Sequence, residues 1–375
     1  MSTFNSNIVK ADAVIAAAKN YLPNILVQPY NTMATSVLID PNVFQYSELG
    51  ESTILRYVTG GTFGDYDGSW DTTGTMGTVV QKEFKATIDR KSVTQADWKT
   101  EADSILKTGQ LSSEAVVKAT WRKFAQEADM RAFSTIYAGS KETNRHKNTE
   151  NGYKTDPDNI LATLVNVRQQ IFENEIDDTM PVYCFVDSET YANIQYAMIS
   201  KYALGQLIRP AKIPVNVLPD YVSGTDGLTV LLDVLEFNNM YIIKANKNRM
   251  KTLITSLDGK TGGQEAGGVI ADDSSSGAAD IKILAVPKMA AAVSVRHIVN
   301  LFMSPLVNLN ANSSLSTITD PMNRLLEGTG NYINIGVNQQ SDKFKYVTRI
   351  LFGVPVIDGY SDGIVAVTTT PVVWY

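Results

Sequence analysis

The chain has 375 residues, 44% of them hydrophobic, which is enough apolar sequence to bury one large core or two moderate ones. Its 33 basic and 39 acidic residues give a net charge of -6, which argues against a protein whose main task is to coat a nucleic-acid backbone. No apolar run approaches the roughly 20 residues that a membrane-spanning helix needs. The N-terminus lacks the pattern of a secretory signal, so we expect the chain to stay where it is made.

The first ninety residues are predicted to form an arm and a ribbon. Pro23, Pro29 and Pro41 interrupt every regular pattern after a short Ala-rich stretch, which favours an extended arm. Strand-like runs at 53–59 and 79–89 predict a two-stranded ribbon. The Gly-rich segment between them is too polar to form a core. Because an isolated hairpin is marginal in water, we expect it to dock on another subunit or domain.

The clearest predicted helix begins after Ser112 or Ser113, either of which can serve as N-cap, and ends at Gly139. Apolar residues recur every three or four positions and form one stripe about six turns long. The opposite charges of Glu127 and Arg131, four residues apart, support the exposed side. The predicted core positions of this helix are Val117, Trp121, Phe124, Ala128 and Ile136.

Shorter elements follow. Asp156-Pro157 opens a second helix, a strand is predicted at 182–186, and Ser188 begins a third helix. The second helix is expected to bury Ile160, Leu161, Leu164, Val167, Ile171 and Phe172. The segment 141–154 is expected to be mobile and 258–277 to be a long flexible loop. Further strands are predicted at 229–235, 241–244, 280–286 and 332–337, and strand-rich sequence returns from residue 345.

Catalytic patterns are weak throughout the sequence. The two histidines, His146 and His297, lie in no HExxH or HxH spacing, and we interpret both as surface or packing residues. Cys184, the one cysteine, lies in an apolar run and is expected to be a buried, inert thiol. Gly259-Lys260-Thr261 matches the end of a phosphate-binding loop. That loop requires another glycine five positions before Gly259, where this sequence has Ile254.

One acidic cluster is open to two interpretations. Asp65, Asp67 and Asp71 are close enough in sequence to bind a hard cation such as calcium, but the EF-hand pattern and its final glutamate are missing. A solvated hairpin tip is the favoured interpretation. We therefore predict no catalytic residue, no metal ligand and no cofactor.

The order of these elements resembles the major capsid proteins of tailed bacteriophages with the Hong-Kong-97-type fold. In that family an N-terminal arm leads to an extended hairpin called the E-loop, then to the spine helix of a peripheral domain, and later to an axial domain. The local resemblance lies in the helix end at 127–138, the strand-to-helix step at 182–191 and the closing segments at 349–358 and 362–364.

The resemblance implies an α+β fold with a defined division of the chain. The implied units are an N-terminal arm (1–50), an E-loop hairpin (51–92), a peripheral domain (93–203) with its spine helix at 113–138, a strand-rich axial domain (204–344) and strands that return to the peripheral domain (345–375). No scaffolding segment is expected ahead of the arm, and no Lys–Asn crosslink is assigned.

It also implies a structural role without enzymatic activity. Such subunits self-assemble through hexamers and pentamers into an icosahedral shell around double-stranded DNA, which they contact non-specifically. The expected partners are scaffolding, portal and decoration proteins, with no membrane, and the expected location is the virion after assembly in the host cytoplasm. Subunit contacts are then predicted for the apolar residues of the arm and for the hairpin residues Phe63, Tyr66, Trp70 and Met76.

Other functions stay open at this point. An encapsulin-like compartment has the same fold but encloses a cargo enzyme in place of DNA. A soluble α+β enzyme with a dispersed site would be a monomer with a deep polar pocket. A tail or baseplate component would form rings or tubes.

Overall fold

A computed structural model describes a large part of the chain. The described residues are 33–39, 44–46, 52–59, 78–85, 88–97, 104, 107, 114–174, 176, 179–200, 208–216, 229–252, 254–255, 270–271, 279–303, 332–337, 343–357 and 360–369. Within these ranges, no helix combines the length and apolar character that crossing a bilayer requires.

The helices match the sequence predictions closely. The long helix predicted at 113–138 is confirmed as α1 (Glu114–Gly139). The second and third predicted helices are confirmed as α2 (Ile160–Glu173) and α3 (Ser188–Ser200). Short 3-10 helices lie at Ala34–Leu38, Glu142–Asn144 and Ser361–Gly363.

The described strands fall into four sheets. In chain order they are β1 (Phe44–Tyr46), β2 (Ser52–Thr59), β3 (Thr78–Lys85), β4 (Ile88–Asp97), β5 (Arg145–Lys147), β6 (Val182–Asp187), β7 (Arg209–Asn216), β8 (Thr229–Phe237), β9 (Met240–Ala245), β10 (Ile254–Thr255), β11 (Ile270–Ala271), β12 (Ile281–Pro287), β13 (Ser294–Met303), β14 (Tyr332–Val337), β15 (Lys343–Gly353) and β16 (Val365–Thr368). The described strand orders are β1-β2-β3, β10-β11, β5-β16-β12-β6-β9-β8-β7 and β14-β13-β15-β4. The strands predicted at 182–186, 229–235, 241–244, 280–286 and 332–337 are confirmed as β6, β8, β9, β12 and β14.

Strand β6 shows that helices cover both faces of the seven-stranded sheet. Val182, Cys184 and Val186 belong to the apolar core that the sheet shares with α2 and α3. Phe185 points to the opposite face, because side chains alternate along a strand. There its ring packs edge-on against Phe133 of α1, with centroids 5.3 Å apart. Burial on both faces explains why β6 is an almost continuous apolar run.

Helix α1 also reaches the four-stranded sheet. Phe124, nine positions before Phe133, packs edge-on against Phe352 of β15, with ring centroids 6.3 Å apart. A helix rises 1.5 Å per residue, so the two contacts lie about 14 Å apart along α1. This one rigid element therefore touches both large sheets.

The chain passes between these two sheets at residues 290–293 and 354–357, a pair of segments that we call the neck. The amide of Ala292 donates to the carbonyl of Pro355 at 3.1 Å, and the amide of Ile357 donates to the carbonyl of Ala290 at 2.9 Å. Residues 290–293 are all buried and include three alanines. Small side chains allow the two backbones to approach and pair closely.

The predicted ribbon differs from the structure in two ways. The strand predicted at 79–89 is two strands, because β3 pairs with β2 while β4 pairs with β15 of another sheet. The predicted two-stranded ribbon also has a third strand, β1, which pairs antiparallel with β2. The chain therefore leaves the ribbon immediately after β3.

Two other predictions are wrong. The segment 141–154 was expected to be mobile, yet it contains β5, which pairs in parallel with β16 at the edge of the seven-stranded sheet. Phe172 was expected to be buried in α2, but 59% of its surface is exposed. The expected loop at 258–277 lies outside the described residues except for β11.

The predicted domain borders do not follow the sheets. A border at 203/204 would place β6 in one domain and β7 in the next, although both strands belong to the seven-stranded sheet. The segment 345–375 likewise contributes β15 to the four-stranded sheet and β16 to the seven-stranded one.

Candidate functional site at the junction of the long helix and the sheets

Residues 33–39 form a short segment, here called the strap, that lies against α1 and the neck. Met33 and Leu38 are almost fully buried, and the carbonyl of Leu38 accepts a hydrogen bond from the amide of Val293 at 2.9 Å. The prediction that apolar arm residues contact neighbouring subunits is therefore wrong for Met33 and Leu38. These two residues pack within their own chain.

A buried carboxylate on α1 holds the strap. Asp129 is completely buried, and its Oδ1 accepts hydrogen bonds from the amide of Thr35 at 3.1 Å and from the Thr35 hydroxyl at 2.7 Å. Its Oδ2 accepts from the amide of Ala34 at 3.1 Å and from Arg249 at 2.9 Å. Burial raises the pKa of Asp129, and the bonds from Thr35 and Arg249 act in the opposite direction. Asp129 thus joins three separate segments of the chain.

Arg249 belongs to a loop after β9, residues 246–252, which we call the junction loop. Its alternate basic residues pair with three different elements: Lys247 with Glu189 of α3 at 2.8 Å, Arg249 with Asp129 of α1, and Lys251 with Asp280 just before β12. The carbonyl of Thr252 also accepts a hydrogen bond from Ser134 of α1 at 3.0 Å. The junction loop therefore fastens α1 to the strand ends of β9 and β12 in the seven-stranded sheet.

A second ionic group lies where β6 ends. Lys282 of β12 donates to Asp187 at 3.0 Å and to Glu189 at 2.8 Å. Asp187 is completely buried, and its Oδ1 accepts a hydrogen bond from the amide of Thr190 at 2.8 Å, as an N-cap of α3 does. These contacts fix the start of α3 to the neighbouring strand β12.

The protonation states of these three side chains argue against a catalytic role for this group. Hydrogen bonds from Lys247 and Lys282 lower the pKa of Glu189 to about 2. Burial alone would lower the pKa of Lys282, but hydrogen bonds to Glu189 and Asp187 outweigh this effect and raise it. A protonated ammonium paired with two carboxylates cannot act as a nucleophile or base. The arrangement is suited to holding the backbone in place.

The C-terminus of α1 is fixed by a residue that lies outside the helix. Arg145 of β5 donates to the carbonyls of Ala138 and Ser140 at 3.1 and 2.5 Å, and its guanidinium lies 4.8 Å from the centre of the Tyr137 ring. A cation near the last carbonyls also complements the helix dipole. Gly139, the last residue of α1, packs against Val356 of the neck.

We expect Gly139→Ala to lower the free energy of unfolding by about 1–3 kcal/mol, although alanine is the better helix former. An added Cβ would lie 2.9 Å from both methyl groups of Val356, whose branched side chain cannot turn away easily. Urea unfolding of the purified chain measures the effect. In a Val356→Ala background the same substitution should cost little, and a Gly139→Ala variant as stable as wild type would contradict this close packing.

The cysteine and the two histidines were predicted to be non-catalytic, and the structure gives the surroundings of Cys184 and His146. Cys184 is buried, as predicted, and burial raises the pKa of its thiol to about 12. The ring of His146 stacks on Tyr153 with centroids 3.7 Å apart and lies 3.1 Å from the side-chain oxygen of Gln170. His297 lies in β13. Over the described ranges, no group of three or more metal-ligating side chains comes together.

The predicted core and interface residues fall into two groups. Phe124, Ala128 and Ile136 are buried on α1, and Val117 and Trp121 lie along the same helix. The hairpin residues Phe63, Tyr66, Trp70 and Met76 lie outside the described residues, as do Asp65, Asp67, Asp71 and the Gly259-Lys260-Thr261 triplet. The hairpin contacts stay predictions.

Sequence reasoning missed the residues of this junction. Asp129 and Thr35 are 94 positions apart, and Lys282 and Asp187 are 95 apart, so no local motif joins them. One signal was present: Asp129 occupies the apolar stripe of α1, where a charged residue needs a partner. That partner could not be identified without the fold.

Comparison with known proteins gives structural matches only. No family model matches the sequence, and no curated protein does. The chain is similar to the capsid of the cyanophage P-SCSP1u, with 11% identity and a TM-score of 0.46 over 87% of this chain and 85% of that one. It is similar to a virus-like particle from Pyrococcus furiosus, with 10% identity and a TM-score of 0.42 over 94% of this chain and 98% of that one. It is also similar to a structure of Mycobacterium phage Che8, with 11% identity and a TM-score of 0.44 over 88% of this chain and 89% of that one.

Proposed function

We propose that this chain is a shell-forming subunit, the major capsid protein of a tailed bacteriophage with the Hong-Kong-97-type fold. It would self-assemble into an icosahedral shell around double-stranded DNA, with scaffolding, portal and decoration proteins as partners. It would have no enzymatic activity. Its location would be the virion, after assembly in the host cytoplasm.

The observation that carries this proposal is the β1-β2-β3 sheet. It shares no strand with the two large sheets among the strands described, and its two longest strands frame the Gly-rich segment 60–77. A small sheet of three strands is stable only when its hydrophobic face is covered or when it packs against another element. A neighbouring subunit in a shell would supply that cover, and many weak contacts of this kind add up through symmetry.

The junction supports the same proposal. The buried ionic groups Asp129–Arg249 and Asp187–Lys282 each bind segments of the chain to one another. A subunit that transmits contacts between neighbours needs rigid joints, and α1 packed on both sheets provides such a joint. An enzyme would instead be expected to direct some of these groups toward a cavity.

We also propose a division of the subunit that follows the sheets. One unit would combine α1 with the four-stranded sheet as the peripheral domain, and the other would combine the seven-stranded sheet with α2 and α3 as the axial domain. The arm and the E-loop hairpin would precede them, as predicted. The neck and the junction loop would connect the two units.

Electron microscopy of the purified full-length chain, with its sedimentation profile, tests this function. Closed icosahedral particles, or rings of five and six subunits, are the expected result. A monomer that persists with crowding agents and a candidate scaffold would overturn the proposal. Particles purified from their natural source should contain DNA, since an enzyme cargo would indicate an encapsulin-like compartment instead.

A further inference from the structure

We propose that the strap is a releasable latch, held closed by its hydrogen bonds to Asp129 of α1. Its opening loosens the connection between the two large sheets, at the neck and the junction loop, without unfolding either sheet. The strap, residues 33–39, lies within the predicted N-terminal arm (1–50). The inference concerns a conformational device in the single subunit. Its consequence for shell assembly rests on the proposed function.

Asp129 supplies the closing contacts. Both backbone amides at the start of the strap, those of Ala34 and Thr35, donate to this one carboxylate, and so does the Thr35 hydroxyl. The strap is a single short 3-10 helix, Ala34–Leu38, with the backbone bonds of Ser36 to Met33 at 3.4 Å and of Ile39 to Ser36 at 3.1 Å at its two ends. Its attachment therefore depends on the carboxylate together with the burial of Met33 and Leu38.

The other end of the strap reaches the neck. The carbonyl of Leu38 accepts from the amide of Val293, the residue that follows the three neck alanines. Arg249 shares the Oδ2 atom of Asp129 with Ala34, so the same carboxylate also holds the junction loop. Loss of the contacts at Asp129 therefore affects both places where the sheets are connected, which are the neck and the junction loop.

The fold itself does not depend on the strap. The neck keeps its own bonds, Ala292 to Pro355 and Ile357 to Ala290, and the seven-stranded sheet keeps its ladder between β6, β12 and β16. Local opening with a low free energy is expected where a segment has few bonds of its own. The strap, one short 3-10 helix, has fewer bonds of its own than the seven-stranded sheet, so we expect the strap to open before the sheet does.

Hydrogen exchange of the full chain, dispersed as subunits and followed by mass spectrometry, tests the latch with the variant Asp129→Asn. Asparagine has one acceptor oxygen and one amino group, so one pair of donors on the strap or Arg249 loses its acceptor. Exchange over residues 33–39 should become at least about tenfold faster, because bonds to a charged group are among the stronger ones. The amide of Val293 should follow, whereas β12 should exchange at the wild-type rate.

Two further variants keep the test decisive. Thr35→Val removes only the hydroxyl donor and should give a smaller acceleration of the strap in a chain that still folds. Glu127→Gln removes a carboxylate of the same helix, paired with Arg131 at 3.2 Å, and should leave strap exchange unchanged. Wild-type exchange of the strap in both Asp129→Asn and Thr35→Val would overturn the latch. If Asp129→Asn also accelerates hydrogen exchange in β12, the variant has disturbed the whole fold. The exchange of the strap in Thr35→Val then decides whether the latch exists.

The latch and the proposed function fail separately. Exchange is measured on dispersed subunits and decides the latch whether or not particles form. If wild-type chain forms no particles, the capsid proposal fails and the exchange result still stands. If particles form normally but strap exchange does not respond to either variant, the latch is wrong and the capsid proposal survives.

Discussion

Replacing Lys282 by methionine is expected to lower the free energy of unfolding of the subunit by about 3–5 kcal/mol. The lysine side chain is 7% exposed, and its ammonium group is 3.0 Å from Asp187, which is completely buried. Methionine has a similar volume, so packing changes little. The variant instead leaves the carboxylate of Asp187 in the interior without its cation. Urea unfolding of dispersed subunits, followed by circular dichroism, measures the loss.

The double variant Lys282→Met/Asp187→Asn separates charge from packing. Asparagine is as good an N-cap as aspartate, so the bond from the amide of Thr190 is kept while the uncompensated charge is removed. We expect this double variant to recover more than half of the lost stability, because a removed ion pair costs far less than a broken one. A Lys282→Met subunit within 1 kcal/mol of wild type, on the order of the error of such measurements, would contradict a buried pair.

Deleting residues 62–76 is expected to leave a soluble, folded subunit that cannot close shells. The deletion removes the predicted interface residues Phe63, Tyr66, Trp70 and Met76 together. Thr59 of β2 pairs with Thr78 of β3, so Gly60, Gly61 and Gly77 would remain as a three-residue loop across the ribbon. Hairpin loops of three residues that contain glycine are common, so the ribbon itself should persist. Electron microscopy and sedimentation measure the particles.

A matched variant controls for the deletion. Replacing 62–76 by a Gly/Ser linker of equal length removes the apolar side chains and keeps the reach of the hairpin. Both variants should unfold at the wild-type urea concentration, since neither alters the two large sheets. Normal closed shells from the Gly/Ser variant would show that the hairpin tip does not contact a neighbour.

Much of the fold could be predicted because several elements carry strong local patterns. The apolar stripe of α1 and the continuous apolar run of β6 each identify their element without knowledge of the rest. Strand β7 was missed because Pro210 and Pro214 argue against a central strand, and the structure places it at the edge of its sheet, where proline is tolerated. Strand β13 was missed because apolar and polar residues do not alternate clearly in its sequence, SVRHIVNLFM.

The joint between the sheets could not be predicted, because it depends on tertiary contacts. The boundary between β3 and β4 falls at Ala86-Thr87, which contains neither glycine nor proline to signal a break. The sheets are assembled from strands far apart in sequence, as in the pairing of β4 with β15. A prediction that divides the chain into consecutive segments therefore places its domain borders in the middle of a sheet.

The single cysteine makes the seven-stranded sheet measurable inside an assembled particle. Cys184 lies at the centre of β6, completely buried, and burial raises its pKa to about 12, so a thiol reagent can react only after the sheet opens. Denaturant melts of a large assembly report dissociation and unfolding together. The rate of thiol labelling would instead report how often this one sheet opens, in the free subunit and in the particle, and the ratio of the two rates would give the stabilisation that neighbours provide.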